Sequence, residues 1–162
     1  MNAISQRELA AQVVRDPVHW LAFGFGLGLA PKAPGTAGSL LGILFWWLTP
    51  AQLSWQLGVA ALLTLAGIWI CGESARRLGI HDHGGIVWDE IAGMYLTLLA
   101  VGPEPAWILA AFLFFRLFDI WKPWPIRDLD HSLQGGLGIM LDDVIAALYA
   151  AGILLIFQRI LI

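Results

Sequence analysis

The stretch FFRLFDIWKPWPIRDLDH, residues 114–131, sets an arginine and an aspartate among large apolar side chains. Arg116 and Asp119 are three residues apart, so on a helix they share one face. One interpretation is an internal ion pair that makes both charges tolerable in apolar surroundings. The other is that Asp119 joins a cluster of carboxylates while Arg116 binds a phosphate, which a guanidinium does bidentately. Lys122 follows directly and adds a second cation.

Two acidic pairs, Asp89–Glu90 and Asp142–Asp143, lie near the predicted starts of apolar helices. Such carboxylates can simply complement a helix dipole, an explanation that weakens when two helices repeat it at one depth. Adjacent helical residues point about 100° apart, so we expect Asp89 and Glu90 to lie on different faces. Carboxylate oxygens suit Mg²⁺, which leaves room for a substrate phosphate. Histidine and cysteine clusters with zinc spacing are absent from the sequence.

The stretch APKAPGTAGSLLG, residues 30–42, predicts the start of a helix with Thr36 as its N-cap. The N–H groups at a helix start form an anion site, and Lys32 adds positive charge. Gly38 and Gly42 form a small-xxx-small pair, which is also typical of close helix packing. The segment therefore has two open interpretations, one as a phosphate site and one as a packing face.

Two further motifs carry weaker signals. His83 and its neighbours in HDHGG could act as general acid or base at neutral pH, or could be solvated loop residues. Cys71 and Arg77 have the five-residue gap of a cysteine phosphatase loop. However, CGESARR is predicted to end a helix, whereas that chemistry needs a thiolate at a helix N-terminus. We therefore do not expect a cysteine nucleophile.

The composition indicates an integral membrane protein. Of the 162 residues, 59% are hydrophobic and only 13% are charged, about half the charge of a typical soluble domain. Nine tryptophans are many for this length, and Trp collects where lipid meets water. The net charge of −3 gives no sign of nucleic-acid binding.

Five apolar runs predict membrane helices, near residues 39–49, 56–73, 87–101, 106–121 and 138–158. Residues 1–16 predict an amphipathic interfacial helix, and the apolar piece at 18–30 either spans the membrane or re-enters it. The predicted fold class is all-α, a polytopic membrane helical bundle that forms a single domain over residues 1–162. Several runs are shorter than the ~20 residues that cross a bilayer comfortably.

Threading these five helices across a membrane sorts the charges onto one side. The joints at 50–55 and 102–105 contain no Lys or Arg, whereas the opposite joints contain Lys32, Arg76, Arg77, Lys122 and Arg127. By the positive-inside rule, the second side is cytoplasmic. Intramembrane charges cost ~2.5–3.5 kcal/mol each and are functional candidates. Seven ionisable residues are predicted near cytoplasmic helix ends: Glu73, Asp89, Glu90, Arg116, Asp119, Asp142 and Asp143.

Four motifs, in the order PGTAGSLL, HDHGGIVWDEIAGM, FRLFDIWKPWPIRDLD and GGLGIMLDD, make the chain resemble the phosphatidylglycerophosphatase A family over about residues 16–158. The resemblance implies a Mg²⁺-dependent phosphatase that converts phosphatidylglycerophosphate to phosphatidylglycerol and inorganic phosphate. It implies a multi-pass protein of the bacterial inner membrane, with a phospholipid substrate and an active site facing the cytoplasm. Oligomeric state is not predicted. The family's motif positions fall on Pro34, Gly35, Thr36, Ser39, Asp82, Asp89, Glu90, Arg116, Asp119, Lys122, Asp130, Asp142 and Asp143.

On this basis we expect a magnesium site and a phosphate site side by side. The expected metal ligands are Asp89 or Glu90, Asp119, and Asp142 or Asp143. The expected phosphate-binding residues are Lys32, Thr36, Ser39, Arg116 and Lys122. Asp82, His83 or a spare carboxylate would handle the proton. Direct attack by water and an aspartyl-phosphate intermediate both remain open.

Two other classes of protein compete with this hypothesis. A small cation or proton transporter would use its intramembrane carboxylates as a conduction path, and would spread them across the membrane depth. A purely structural subunit would not need so many buried charges. The clustering at one predicted face favours the enzyme.

Overall fold

The computed structural model describes residues 6–80, 83–124, 126 and 135–161. Within these ranges the chain is all helical and contains no strand, which confirms the predicted all-α class. In the described residues, a 3-10 turn at Leu27–Leu29 accompanies seven α-helices. They are α1 (Gln6–Arg15), α2 (Pro17–Ala22), α3 (Pro34–Leu48), α4 (Leu53–Leu78), α5 (Trp88–Leu98), α6 (Pro105–Trp121) and α7 (Gly136–Leu161).

The helix ends follow local chemistry. Pro17, Pro34 and Pro105 occupy first positions, where the fixed φ of proline suits the helix and its missing N–H costs nothing. Gly79 ends α4 in the left-handed conformation, with φ of 66°, which glycine adopts without steric cost. Helices occur at all five predicted apolar runs, although α3 and α4 begin earlier, α5 ends earlier, and α4 and α7 end later than expected.

Two helices, α4 and α7, are each 26 residues long and are apolar enough to cross a membrane by length and composition. The helices α3, α5 and α6 have 15, 11 and 17 residues. At 1.5 Å per residue, α5 is only about 16 Å long. Five complete crossings thus remain a prediction. The apolar piece at 18–30 is a short helix, a turn and a 3-10 turn, not one spanning helix.

The short helix α5 is the centre of the bundle. Its side chains Ile91, Met94, Tyr95 and Leu98 are completely buried, and α3, α4, α6 and α7 all pack against it. The outward faces of those surrounding helices carry large apolar side chains, as expected of a bundle in an apolar solvent. Exposed examples include Leu40, Leu44, Trp47, Leu62, Leu65, Trp69, Leu109, Leu113, Leu117, Leu148 and Leu155.

Glycines bring α3 and α5 into backbone contact. A Cβ added at Gly38 would lie 2.8 Å from the Val87 carbonyl oxygen, and one at Gly42 would lie 2.6 Å from that of Ile91. On α5, a Cβ at Gly93 would lie 2.7 Å from the Phe115 ring of α6. The packing interpretation of Gly38 and Gly42 is therefore confirmed, and Gly93 in the same way admits the neighbouring helix α6.

Replacing Gly42 by alanine is expected to destabilise the bundle. Backbone atoms of α5 block the new methyl group, so the two helices must separate, at a cost of about 1–3 kcal/mol. This should lower the melting temperature in detergent by roughly 3–10 °C. Gly152→Ala is the matched control, since a Cβ there meets nothing within 4 Å. A Gly42→Ala protein that melts with or above the control would contradict this packing.

The junction between α1 and α2 is fixed to the end of α4. Asp16 caps α2 by accepting from the Val18 N–H at 2.9 Å, and its other oxygen pairs with Arg77 at 2.6 Å. His19 shares a 2.8 Å hydrogen bond with Ser74. Burial lowers the pKa of His19, so its ring is neutral at pH 7.

The end of α2 is in turn tied to the start of α5. The Val87 N–H donates to the Ala22 carbonyl at 2.9 Å, directly before the acidic pair of α5. Gly28 and Gly85 are in contact there, with no space for a Cβ on Gly28. The N-terminal segment therefore helps to fix the start of α5, which carries Asp89 and Glu90.

Candidate active site

Three carboxylates from two helices meet at this end of the bundle. Asp89 and Glu90 begin α5, Asp143 lies in α7, and one oxygen from each is within 4.8 Å of the other two. Asp143 is 2% exposed. Among the described residues, Glu90 Oε2 and Asp143 Oδ2 are buried oxygens without a hydrogen-bond partner. We call Asp89, Glu90 and Asp143 the acidic cluster.

The geometry of the acidic cluster corrects one expectation. Asp89 and Glu90 were expected to lie on different faces of their helix, yet both offer an oxygen to the same point. The Cβ directions do diverge by about 100°, but the carboxylates lie two and three bonds further out. The longer Glu90 side chain can therefore turn back beside Asp89.

The last turns of α6 add a guanidinium and a fourth carboxylate. Arg116 Nη1 forms an ion pair with Asp119 and lies 3.8 Å from Glu90 Oε1. Asp119 also lies close enough to Asp143 for the two carboxylates to interact electrostatically. Arg116 Nε is buried and has no hydrogen-bond partner in the described part of the chain. The internal ion pair is therefore present, and it lies beside the acidic cluster.

The N-terminus of α3 closes one side of the acidic cluster. A Cβ added at Gly35 would overlap the Glu90 carboxylate and would lie 3.0 Å from Arg116 Nη1. Because Pro34 has no N–H, Gly35 is the first residue of α3 with a backbone donor. The contact between Gly35 and Glu90 was not predicted. The sequence signal that could have indicated it is a glycine directly after a proline that starts a helix.

Thr36 is not the N-cap that the sequence predicted. The helix begins at Pro34 and its N-cap is Ala33, three residues before Thr36, because proline is well suited to the first helical position. The Thr36 N–H donates to the Ala33 carbonyl at 3.0 Å. The Ser39 hydroxyl is fully buried and donates to the Gly35 carbonyl at 2.9 Å, so its proton is used inside its own helix.

Replacing Gly35 by alanine should impair activity more than stability. The methyl group must displace Glu90 and Arg116, and a shift of about 1 Å in such groups can cost about 10²-fold in rate. We expect this loss in kcat/KM. The control is Gly84→Ala, where a Cβ meets nothing within 4 Å. If both variants were fully active, Gly35 would not abut a catalytic group.

Lys122 and Asp142 form a second ion pair next to the acidic cluster. Lys122 Nζ lies 2.6 Å from Asp142 Oδ2, and the other Asp142 oxygen accepts from the Asp143 N–H at 3.0 Å. The pair ties the end of α6 to α7. Of the two adjacent aspartates, Asp143 therefore joins the acidic cluster, whereas Asp142 contacts the lysine.

Other predicted residues lie elsewhere or outside the description. Lys32 is exposed just before α3. His83 accepts from the Gly85 N–H at 3.0 Å, and its ring contacts that of Phe23 at a tilt of 38°. Glu73 pairs with Arg76 and Arg77 on α4, away from the acidic cluster. Asp82, like Asp130, lies outside the described residues.

Cys71 is not accessible to a substrate. It lies inside α4, about two turns before the helix ends, and is fully buried with Sγ 3.9 Å from Met140 Sδ. Its sulfur does approach the Asp89 N–H at the start of α5, a contact that the sequence did not predict. A phosphate cannot reach a completely buried sulfur, so the geometry disfavours a cysteine nucleophile.

The donor set fits a hard cation beside a phosphate. Three converging carboxylates are the oxygen ligands that Mg²⁺ prefers, and the two unpartnered buried oxygens would gain a partner from such an ion. Unneutralised carboxylates at this spacing repel one another. The adjacent arginine can bind the oxygens of a phosphoryl group.

The fold and the site together define a class: a helical bundle with a carboxylate and arginine centre at one end, the kind of centre that phosphoryl chemistry uses. The family model of phosphatidylglycerophosphatase A matches residues 20–158. The chain belongs to the phosphatidylglycerophosphatase A family. It is therefore a phosphatase that acts on a phosphomonoester.

Three relatives illustrate the similarity. Phosphatidylglycerophosphatase A of Escherichia coli (strain K12) is 49% identical over 142 residues, 86% of this chain and 82% of the relative. The protein of the same name from Haemophilus influenzae is 46% identical, over 88% of this chain and 90% of its own. A putative phosphatidylinositol-3-phosphatase of Bacteroides thetaiotaomicron is 40% identical, over 78% and 84%. No solved structure matches the chain.

Proposed function

We propose that the protein removes the terminal phosphate of phosphatidylglycerophosphate to give phosphatidylglycerol and inorganic phosphate, with Mg²⁺ as its cofactor. One observation carries the proposal. The acidic cluster brings three carboxylate oxygens within 4.8 Å of one another, and Arg116 lies 3.8 Å from one of its members. The names of the two most similar relatives described above supply the substrate.

The carboxylates of the site and Arg116 have separate roles in this proposal. Asp89, Glu90 and Asp143 would hold the ion, with Asp119 completing the set or orienting Arg116. Bound Mg²⁺ would neutralise charge on the phosphoryl oxygens and make a water molecule more acidic. Arg116 binds a phosphoryl oxygen through its remaining N–H groups while Asp119 fixes Nη1.

Lys122 and the start of α3 would complete the phosphate site. Lys122, held by Asp142 at 2.6 Å, adds positive charge at the end of α6. Gly35, in the first turn of α3, borders Glu90 and Arg116, and a helix N-terminus favours an anion. Water attacks phosphorus opposite the glycerol oxygen, the bond between phosphorus and that oxygen breaks, and the glycerol oxygen takes up the proton that the attacking water loses. Asp82, His83 or a carboxylate of the acidic cluster accepts the proton from the attacking water.

We place the protein in the bacterial inner membrane, with the acidic cluster at the cytoplasmic surface. Two helices long and apolar enough to span support this location, as do the apolar outward faces of the bundle. Lys32, Arg76, Arg77 and Lys122 lie at the end that holds the acidic cluster, and the joints at the other end contain no Lys or Arg. A headgroup phosphate could then react without its acyl chains leaving the bilayer.

The transporter hypothesis receives less support. The cavity at the opposite end of the bundle, about 280 Å³, is lined by uncharged residues, among them Trp46, Thr49 and Gln56. A conduction path would be expected to carry ionisable groups at several depths. The described carboxylates near the bundle core instead gather at one end.

A substrate panel tests the proposal. Purified protein in detergent would receive phosphatidylglycerophosphate, phosphatidic acid or phosphatidylinositol 3-phosphate, and released phosphate would be measured. We expect phosphatidylglycerophosphate to be hydrolysed fastest. Preference for the inositol lipid would assign the chain the activity named for the Bacteroides relative. No release from any lipid by folded protein with Mg²⁺ present would sink the proposed function.

A further inference from the structure

A groove outside the active site lies at the junction of α1 and α2. It encloses about 260 Å³ and is lined by Val14, Arg15, Pro17 and Trp20. Val14 is 65% exposed and Trp20 is 38% exposed, whereas the neighbouring Val13 is completely buried. The outer face of this segment is therefore both apolar and cationic.

The charge of Arg15 is not neutralised by its acidic neighbour. Asp16 is committed to the Val18 N–H and to Arg77. Burial opposes ionisation of Asp16, but the hydrogen bonds from Arg77 and the Val18 N–H, together with the positive charge of Arg77, outweigh it and hold the pKa of Asp16 below its usual value. Among the described residues, Arg15 has no ion-pair partner. An exposed guanidinium thus stands at the edge of an apolar groove.

The groove is held in a fixed position beside the active site. The pairs Asp16–Arg77 and His19–Ser74 attach it to the end of α4. The Trp20 ring packs against Gly26, where an added Cβ would lie 3.1 Å away. The hydrogen bond from Val87 to Ala22 connects the same segment to the start of α5. The groove therefore lies at the end of the bundle that carries the acidic cluster.

We propose that this groove binds an anionic glycerophospholipid of the surrounding bilayer, separately from the substrate. The lipid phosphate would pair with Arg15, and its glycerol and upper acyl region would contact Val14, Pro17 and Trp20. Arginine suits phosphate oxygens, tryptophan suits the lipid–water boundary, and an amphipathic helix with basic residues binds anionic membrane surfaces. The inference rests on the membrane location given under the proposed function.

The test uses the full chain in neutral detergent and phosphatidylserine as the probe, because that lipid is anionic but carries no phosphomonoester to hydrolyse. Native mass spectrometry would compare its binding with that of phosphatidylcholine bearing the same acyl chains. We expect the wild-type protein to prefer phosphatidylserine, and Arg15→Gln to weaken that binding about fivefold. Arg15→Lys should retain most of it.

Arg159→Gln is the matched control, since Arg159 lies in the last turn of α7, at the other end of that helix from Asp143. It should leave phosphatidylserine binding unchanged. Arg15→Gln should still hydrolyse phosphatidylglycerophosphate in neutral detergent. Equal binding of the two lipids by the wild-type protein, or an unaffected Arg15→Gln variant, would overturn the inference even if hydrolysis is normal. A preference lost in Arg15→Gln would support it even if no hydrolysis occurs.

Discussion

Asp143→Asn is expected to lose about 10³-fold in kcat/KM on phosphatidylglycerophosphate. When both proteins are compared in the absence of Mg²⁺, the variant should be at least as stable as the wild-type protein. The activity falls because one oxygen ligand of the proposed ion is lost, and metal ions supply several kcal/mol of transition-state stabilisation. The stability holds because the change removes one of three mutually repelling carboxylates that lie within 4.8 Å. Hydrolysis rates and melting temperatures, each with and without Mg²⁺, measure both effects.

The Asp143 prediction has an internal signature and a control. Addition of Mg²⁺ should raise the melting temperature of the wild-type protein, because a ligand that binds only the folded state stabilises it. It should not raise that of Asp143→Asn. Glu104→Gln removes an exposed carboxylate at the opposite end of α6 and should behave like wild type. An Asp143→Asn protein with normal activity would remove this residue from the site.

Arg116→Lys is expected to lower kcat/KM by about 10²–10³-fold, although it keeps the positive charge. Arg116 contacts Asp119 and approaches Glu90, and its Nε is unpartnered among the described residues. A planar guanidinium can hold those carboxylates and a phosphate together, whereas a lysine ammonium is a single compact charge that cannot. Steady-state kinetics on the purified variant measures the loss.

The control for Arg116 is another arginine that pairs with a carboxylate at the same end of the bundle. Arg76 forms a bidentate pair with Glu73, but its side chain is 72% exposed. Arg76→Lys should therefore change activity by less than about twofold, since exposed ion pairs contribute little. Equal effects of the two substitutions would show that the guanidinium geometry of Arg116 is not used.

Much of the architecture was predictable because it depends on patterns that persist along the chain. Apolar runs located every long helix, although several of the observed ends lie a few residues from the predicted ones. The charges of α5, α6 and α7 were expected at one end of the bundle, where the structure has Glu90, Arg116 and Asp143. This followed from counting crossings, since alternate helix ends must meet on the same side.

Finer details of the site depend on contacts that no local pattern encodes. Asp142 and Asp143 are adjacent and of the same type, so the sequence does not show which of them joins the acidic cluster. The packing of α6 against α7 decides this, because it brings Asp142 into an ion pair with Lys122. The convergence of Asp89 and Glu90 depends on side-chain rotamers, which the 100° rule for adjacent residues does not determine. The early start of α3 at Pro34 was missed because Thr36 is the more familiar capping residue. The α3 terminus consequently presents Gly35 to Glu90.

The central claim is that carboxylates at one end of the bundle hold a metal ion for phosphate hydrolysis. The most direct test measures phosphate release from phosphatidylglycerophosphate by detergent-purified protein, first with Mg²⁺, then with EDTA, and then with Mg²⁺ restored. The account predicts that activity disappears in EDTA and returns with Mg²⁺. Activity that persists undiminished in EDTA would contradict it and would leave the acidic cluster without its proposed role.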